Sequence, residues 1–308
     1  MDLIIKKKEE RRKKAMRIKD KKEGLKVFGI FALPGLFVFV AVVIIPFLYG
    51  LYLTFTDWNG ISSATNLIGF NNYVNVFKDA EFWKSLLLTL KYVVCSVVLV
   101  NVVAFFLAYV LTSKLKGVGF FRTGFFTPNL IGGVVLGFIW QFVFSRVLVN
   151  IGSTTGIGFL SKSFLADPTK AFWALVIVTV WQTSGYMMLI YIAGFTGISA
   201  DVLEAASIDG ATGFQKLKRI TVPLMMPSFV ICIFLTLSRS FMVYDLNLSL
   251  TGGEPYGTTV MAAMHVYNKA FTSRQYGVGQ AEALILFLMV AIISGIQIYL
   301  GKRKEVEA

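Results

Sequence analysis

The chain has 308 residues, 56% of them hydrophobic and only 15% charged, with a mean hydropathy of +0.70. That leaves too little polar surface for a soluble globular domain and points to an integral membrane protein. The net charge of +13 does not imply a nucleic-acid partner, because 12 of the 30 Lys and Arg precede residue 27 and the rest are scattered at the ends of apolar runs.

Residues 1–27 read as a basic cytoplasmic extension, in which each basic residue near an anionic leaflet adds about 1 kcal/mol of attraction. The apolar run 28–52 is too long for the core of a cleaved signal peptide and lacks a small-x-small site, so it is expected to stay as a first membrane helix. Roughly 20 apolar residues cross a hydrocarbon core of about 30 Å. By that measure further helices are expected at 85–111, 121–145, 171–197, 223–247 and 281–301. Pro128, Asn129 and several glycines interrupt the third. The expected fold is all-α, a polytopic membrane domain of six helices over 28–301 with a tail at 302–308.

Basic residues orient the chain. With the N-terminus inside, segments 1–27, 112–122, 198–222 and 302–308 are cytoplasmic and hold 21 of the 30 Lys and Arg. Both termini are then cytoplasmic in a multi-pass cell-membrane protein. The outer loops, 53–84, 146–170 and 248–280, are rich in turn formers and interfacial aromatics.

Cys95 and Cys232 fall inside apolar runs and read as small buried side chains rather than a disulfide framework. His265 is the single histidine and is expected in a polar loop, so no zinc or iron site is visible. The nearest approach to a phosphate-binding loop, "GIQIYLGKR", spaces its glycines one residue too far apart and has Arg303 where Ser or Thr is needed. ATP must therefore be handled by another chain. No repeat is apparent, direct or inverted.

One stretch stands out by its polarity: "EAASIDGATGFQKLKRITVP", Glu204 to Pro223. Ser199 is placed to cap a short helix ending near Asp209. Gly210 sits where a left-handed residue is wanted. Thr212 and Gln215 have capping-box spacing and start a second helix, in which Phe214, Leu217 and Ile220 form an apolar stripe. Pro223 is expected to end that helix at Val222 and to start the next membrane helix. The hairpin, 199–222, therefore lies on the cytoplasmic face between the fourth and fifth membrane helices. Taken alone, it could be a simple amphipathic connector.

The spacing resembles the signature of ABC importer permeases of the carbohydrate-uptake group related to the maltose permeases. That signature is E-A-A, three residues, G, nine residues, I-x-L-P. Here it reads Glu204-Ala205-Ala206, Gly210 and Ile220-Thr221-Val222-Pro223, with Val222 in place of Leu. The stretches "GFNNYVNVFKDAEFWKSLLLTL", "WQTSGYMMLIYIAG" and "LTGGEPYGTT" carry the likeness across nearly all of the chain after the extension. The resemblance implies a type I ABC importer permease fold and no catalysis by this chain. It implies that the hairpin docks in a cleft of a cytoplasmic ATPase, with Glu204, Ala205, Ala206, Asp209, Gly210, Ile220 and Pro223 as coupling residues. It also implies a second, different permease subunit, two ATPase subunits that hold ATP and Mg2+, and an extracytoplasmic solute-binding protein. No cofactor is expected on this chain itself.

Polar residues inside membrane helices are candidates for the solute pathway. Gln182 and Tyr186 share a helix face, with Thr183 beside them, and Arg239 and Ser240 fall in the fifth helix. Trp140, Gln141 and Tyr244 are weaker candidates. Amide, hydroxyl and guanidinium groups suit sugar hydroxyls, and the resemblance carries a sugar-lining role onto Gln182, Thr183, Tyr186, Arg239 and Ser240. Helix–helix hydrogen bonding is the competing use of such residues. An ion-coupled secondary transporter would be expected to carry a carboxylate or His at mid-membrane, whereas Asp245 and Glu282 read as near the outer helix ends. An importer for a non-sugar solute remains the other alternative, because the hairpin alone specifies import and not sugar.

Overall fold

The computed structural model describes residues 26–61, 66–113 and 116–303. Most of the expected basic extension and the tail from 304 lie outside the described residues. Among the described residues the chain is helical, and its single β feature is an isolated bridge between Thr56 and Leu67.

Among the described residues five helices are long and apolar enough to cross a membrane: α1 (Leu33–Leu53), α3 (Ala80–Leu111), α5 (Gly133–Thr155), α6 (Pro168–Thr196) and α12 (Tyr276–Lys302). A sixth crossing exists if the bent pair α8 (Gly213–Leu224) and α9 (Met226–Phe241) counts as one span. Shorter helices connect them: α2 (Asn71–Lys78), α4 (Val118–Phe126), α7 (Ala200–Ile208), α10 (Asp245–Leu250) and α11 (Ala262–Tyr267).

Local chemistry sets the ends. Asp79 accepts the N–H groups of Glu81 and Phe82, so α3 begins five residues earlier than hydropathy suggests. Asp167 likewise accepts the Lys170 N–H and starts α6. At the far end of α3, the Arg122 guanidinium donates to the Leu111 carbonyl, one of the last four without a helical partner.

Two expected spans are corrected. The third does not run over 121–145. Pro128 lies in a short 3-10 turn, Thr127–Leu130, and Gly132 is extended at φ −60° and ψ 142°, so α4 ends before the break and α5 runs on to Thr155. Proline lacks the N–H a continuous helix needs there. The fifth is not a straight helix over 223–247. Pro223 does not stop α8, which reaches Leu224 after a π-turn at Leu217–Thr221, and the chain bends by 67° at Met225, just ahead of Pro227.

Helix α3 shows how the bundle packs. Val94, Val98, Val102 and Phe106, spaced four apart, are exposed, while Ser96, Val100, Ala104 and Ala108 are buried. Large apolar groups face outward and small or polar ones face neighbours, as packing in lipid favours. This inner face lies along α6, its most extensive partner, and also meets α9. The seam is filled by Met187, Met188, Tyr191, Met225 and Cys232. Both cysteines are free.

Candidate functional site

At the crossing of α3, α6 and α9 lies a polar cavity of about 160 Å³. Gln182, Thr183, Arg239 and Ser240 all line it, together with Tyr92, Asn129, Thr179 and Thr236. The break that displaced the third span is part of the reason. It swings Asn129 and Ile131 toward the cavity, where Asn129 Oδ1 accepts from Arg239 Nη1 at 3.1 Å and the Ile131 carbonyl accepts from Gln182 Nε2 at 3.0 Å.

Tyr186, expected to line the same space, stands behind Arg239. The guanidinium carbon lies 5.1 Å from the centre of its ring, within cation–π range. Arg239 itself is exposed rather than buried, so its charge is not stranded. The Ser240 hydroxyl is buried and has no hydrogen-bond partner. Trp140 packs instead on Phe144 and Trp181, Gln141 is exposed, and the Tyr244 ring lies against Tyr267 at 5.0 Å. None of these three lines the cavity.

Sequence reasoning missed Tyr92, Thr179 and Thr236. The Tyr92 hydroxyl meets Thr179 Oγ1 at 2.5 Å, and Thr236 Oγ1 accepts from Asn101 Nδ2 at 3.4 Å. Asn101 also accepts the Tyr191 hydroxyl at 2.7 Å. Each is one polar group in an apolar run, and only the tertiary crossing aligns them. Asn129 was signalled by the Pro–Asn interruption.

The hairpin forms as two capped helices. Gly210 has φ +76°, its N–H donates to the Ser207 carbonyl at 3.1 Å, and the Ala211 N–H donates to the Ala206 carbonyl at 2.9 Å. This is the Schellman ending of α7. The Thr212 N–H donates to Gln215 Oε1 at 2.8 Å and the Gln215 N–H to Thr212 Oγ1 at 3.3 Å, completing the capping box. Lys216 Nζ donates to Ser207 Oγ at 2.8 Å and ties the two helices together. Ser199 precedes α7, but its side chain makes no capping bond.

Glu204, Ala205, Asp209 and Gly210 are exposed, as are Ile208 at 86% and Phe214 at 71%. Ala206 is buried within the chain, so it is not available to an outside surface, and Ile220 and Pro223 are half-buried where α8 enters the bundle. His265 also departs from expectation. It is buried in α11, not in a loop, and the fold brings it to Asp79 and Glu282.

Residues 102–306 match the model of the binding-protein-dependent transport system inner membrane component family. The chain is 46% identical to the probable starch degradation products transport system permease protein of Thermoanaerobacterium thermosulfurigenes, over 91% of this chain and 95% of that protein. It is 34% identical to the multiple sugar-binding transport system permease protein of Streptococcus mutans, over 85% of this chain and 90% of that protein. Its fold is similar to a chain in the crystal structure of a bacterial ABC transporter involved in the import of alginate, an acidic polysaccharide. There the TM-score is 0.79 at 20% identity, covering 92% of this chain and 98% of the other. This multi-pass chain therefore belongs to the family of binding-protein-dependent transport system inner membrane components, as a permease of an ABC importer.

Proposed function

We propose that this chain forms half of the translocation pathway for a sugar or oligosaccharide, driven by ATP hydrolysis on separate subunits. The observation that carries the reading is the polar cavity at the α3, α6 and α9 crossing, where Arg239, Gln182, Asn129 and Ser240 converge. Neutral hydroxyls of a sugar need such donors and acceptors more than a fixed charge, and the Tyr186 ring behind Arg239 holds the guanidinium in place. The relatives named for starch degradation products and multiple sugars support the same solute class.

In this reading the hairpin 199–222 docks on a cytoplasmic ATPase. Exposed Ile208 and Phe214 supply the apolar contact, and Glu204 and Asp209 the charge. A second permease completes the pathway, two ATPase subunits hold ATP and Mg2+, a solute-binding protein delivers the sugar, and both termini are cytoplasmic. The test is to reconstitute the assembled complex with its binding protein and identify the bound and transported ligand. A neutral oligosaccharide carried only with ATP inside the ATPase compartment is expected. Uptake driven by a proton gradient without ATP, or a non-sugar ligand, overturns the reading.

A further inference from the structure

Away from the cavity, three side chains that ligate metals meet at one end of the bundle. Asp79 precedes α3, His265 lies in α11 and Glu282 lies in the second turn of α12. His265 Nε2 is 3.4 Å from Glu282 Oε1 and 3.8 Å from Asp79 Oδ2. One ligating atom from each residue falls within 4.8 Å of the other two. Glu282 is 0% exposed, and neither of its carboxylate oxygens, nor His265 Nε2, has a hydrogen-bond partner.

A buried carboxylate without a donor is costly, so a cation or a proton must stand beside it. Lys269 makes its ion pair with Asp79, its Nζ 2.6 Å from Oδ2, and reaches Glu282 as a nearby charge without a hydrogen bond to either oxygen. Asp79 is held from both sides, by Lys269 on Oδ2 and by two backbone N–H groups on Oδ1. A carboxylate oxygen has more than one lone pair, so Asp79 Oδ2 can keep Lys269 and still face a metal.

We propose that Asp79, His265 and Glu282 bind one divalent transition-metal ion, for which Zn2+ is the best match. One imidazole nitrogen with two carboxylate oxygens suits that ion. Zn2+ binds such atoms at about 2.0–2.2 Å, which places neighbouring ligand atoms in a tetrahedral shell about 3.3 Å apart. The two His265 separations, 3.4 and 3.8 Å, need only a small closure, and the carboxylates of Asp79 and Glu282 start within 4.8 Å of each other. His265 also lines a cavity of about 500 Å³ beside α3, which gives the ion a path in and room for a water as the remaining ligand. Bound there, the ion staples the starts of α3 and α12 to α11.

The test uses the full chain in its assembled complex, stripped with chelator and titrated with Zn2+. One ion per copy of this chain is expected, with affinity falling at least about tenfold in Glu282→Gln and in His265→Asn. X-ray absorption at the zinc edge of the unmodified complex should show one imidazole among oxygen ligands, which keeps the test decisive if a variant fails to assemble. Absence of stoichiometric binding, unchanged affinity in both variants, or a zinc shell without imidazole overturns the proposal.

Discussion

Arg239 of α9 lies over the ring of Tyr186 of α6, its guanidinium carbon 5.1 Å from the ring centre. The contact joins two helices that both line the polar cavity and, with the bond to Asn129, fixes the guanidinium at its wall. Tyr186 thus acts on the cavity through Arg239 and does not line it.

Arg239→Ala and Gln182→Ala should each weaken solute transport while leaving assembly intact. Loss of one such hydrogen bond costs about 0.5–3 kcal/mol, or about two- to more than a hundredfold in affinity. Uptake kinetics and co-purification of the complex measure the two effects separately. Unchanged kinetics in both variants would remove these residues from the pathway, and lost assembly would make them helix–helix ties.

Gly185→Ala should destabilise the bundle strongly. A Cβ at that position overlaps the Phe125 backbone carbonyl, and backbone cannot move aside as a flexible side chain can. Overpacking of this kind costs about 1–3 kcal/mol. Thermal unfolding in detergent should show a clear drop in Tm, whereas Gly119→Ala, with open space around it, should change little.

Tyr191→Phe should cost about 0.6 kcal/mol, the average for hydrogen bonds between membrane helices, and at most about 1.7 kcal/mol. The lost bond is the one to Asn101 Oδ1 across the α3–α6 seam. A Tm equal to the parent protein would show that this bond adds nothing to the packed seam around it.

Gly210→Val and Glu204→Lys should uncouple the chain from its ATPase without harming insertion. Gly210 has open space around it, so the penalty is conformational: a left-handed φ of +76° costs a side-chain-bearing residue about 1–2 kcal/mol. Pull-down of the ATPase and binding-protein-stimulated hydrolysis are the readouts. If both variants retain the ATPase and full stimulation, the hairpin is only a connector.

Single cysteines at Ser163 and Thr258 should react with an impermeant thiol reagent in intact cells, and those at Ser113 and Thr212 should not. The opposite labelling would invert the proposed orientation.

Much of this protein is legible in its sequence because its strongest signals are local. Apolar runs long enough to span a bilayer, the Gly210 turn and the Thr212–Gln215 capping box depend on neighbours a few residues away, and four of the six expected spans, the turn and the box appear where the spacing places them. Helix boundaries were less legible. Hydropathy does not register the Asp79 cap, because charged residues from Lys78 to Lys84 mask the first turn, and it reads through the Pro128–Gly132 break and the bend at Met225, because apolar composition continues across both. The tertiary structure alone decided which lone polar groups meet. Tyr92, Asn129, Thr179 and Arg239 are widely separated in sequence and become one cavity wall only where helices cross. Asp79, His265 and Glu282 converge in the same way. A helix presents each polar group to one direction, and the partner in that direction is set by packing between helices, which sequence spacing does not encode.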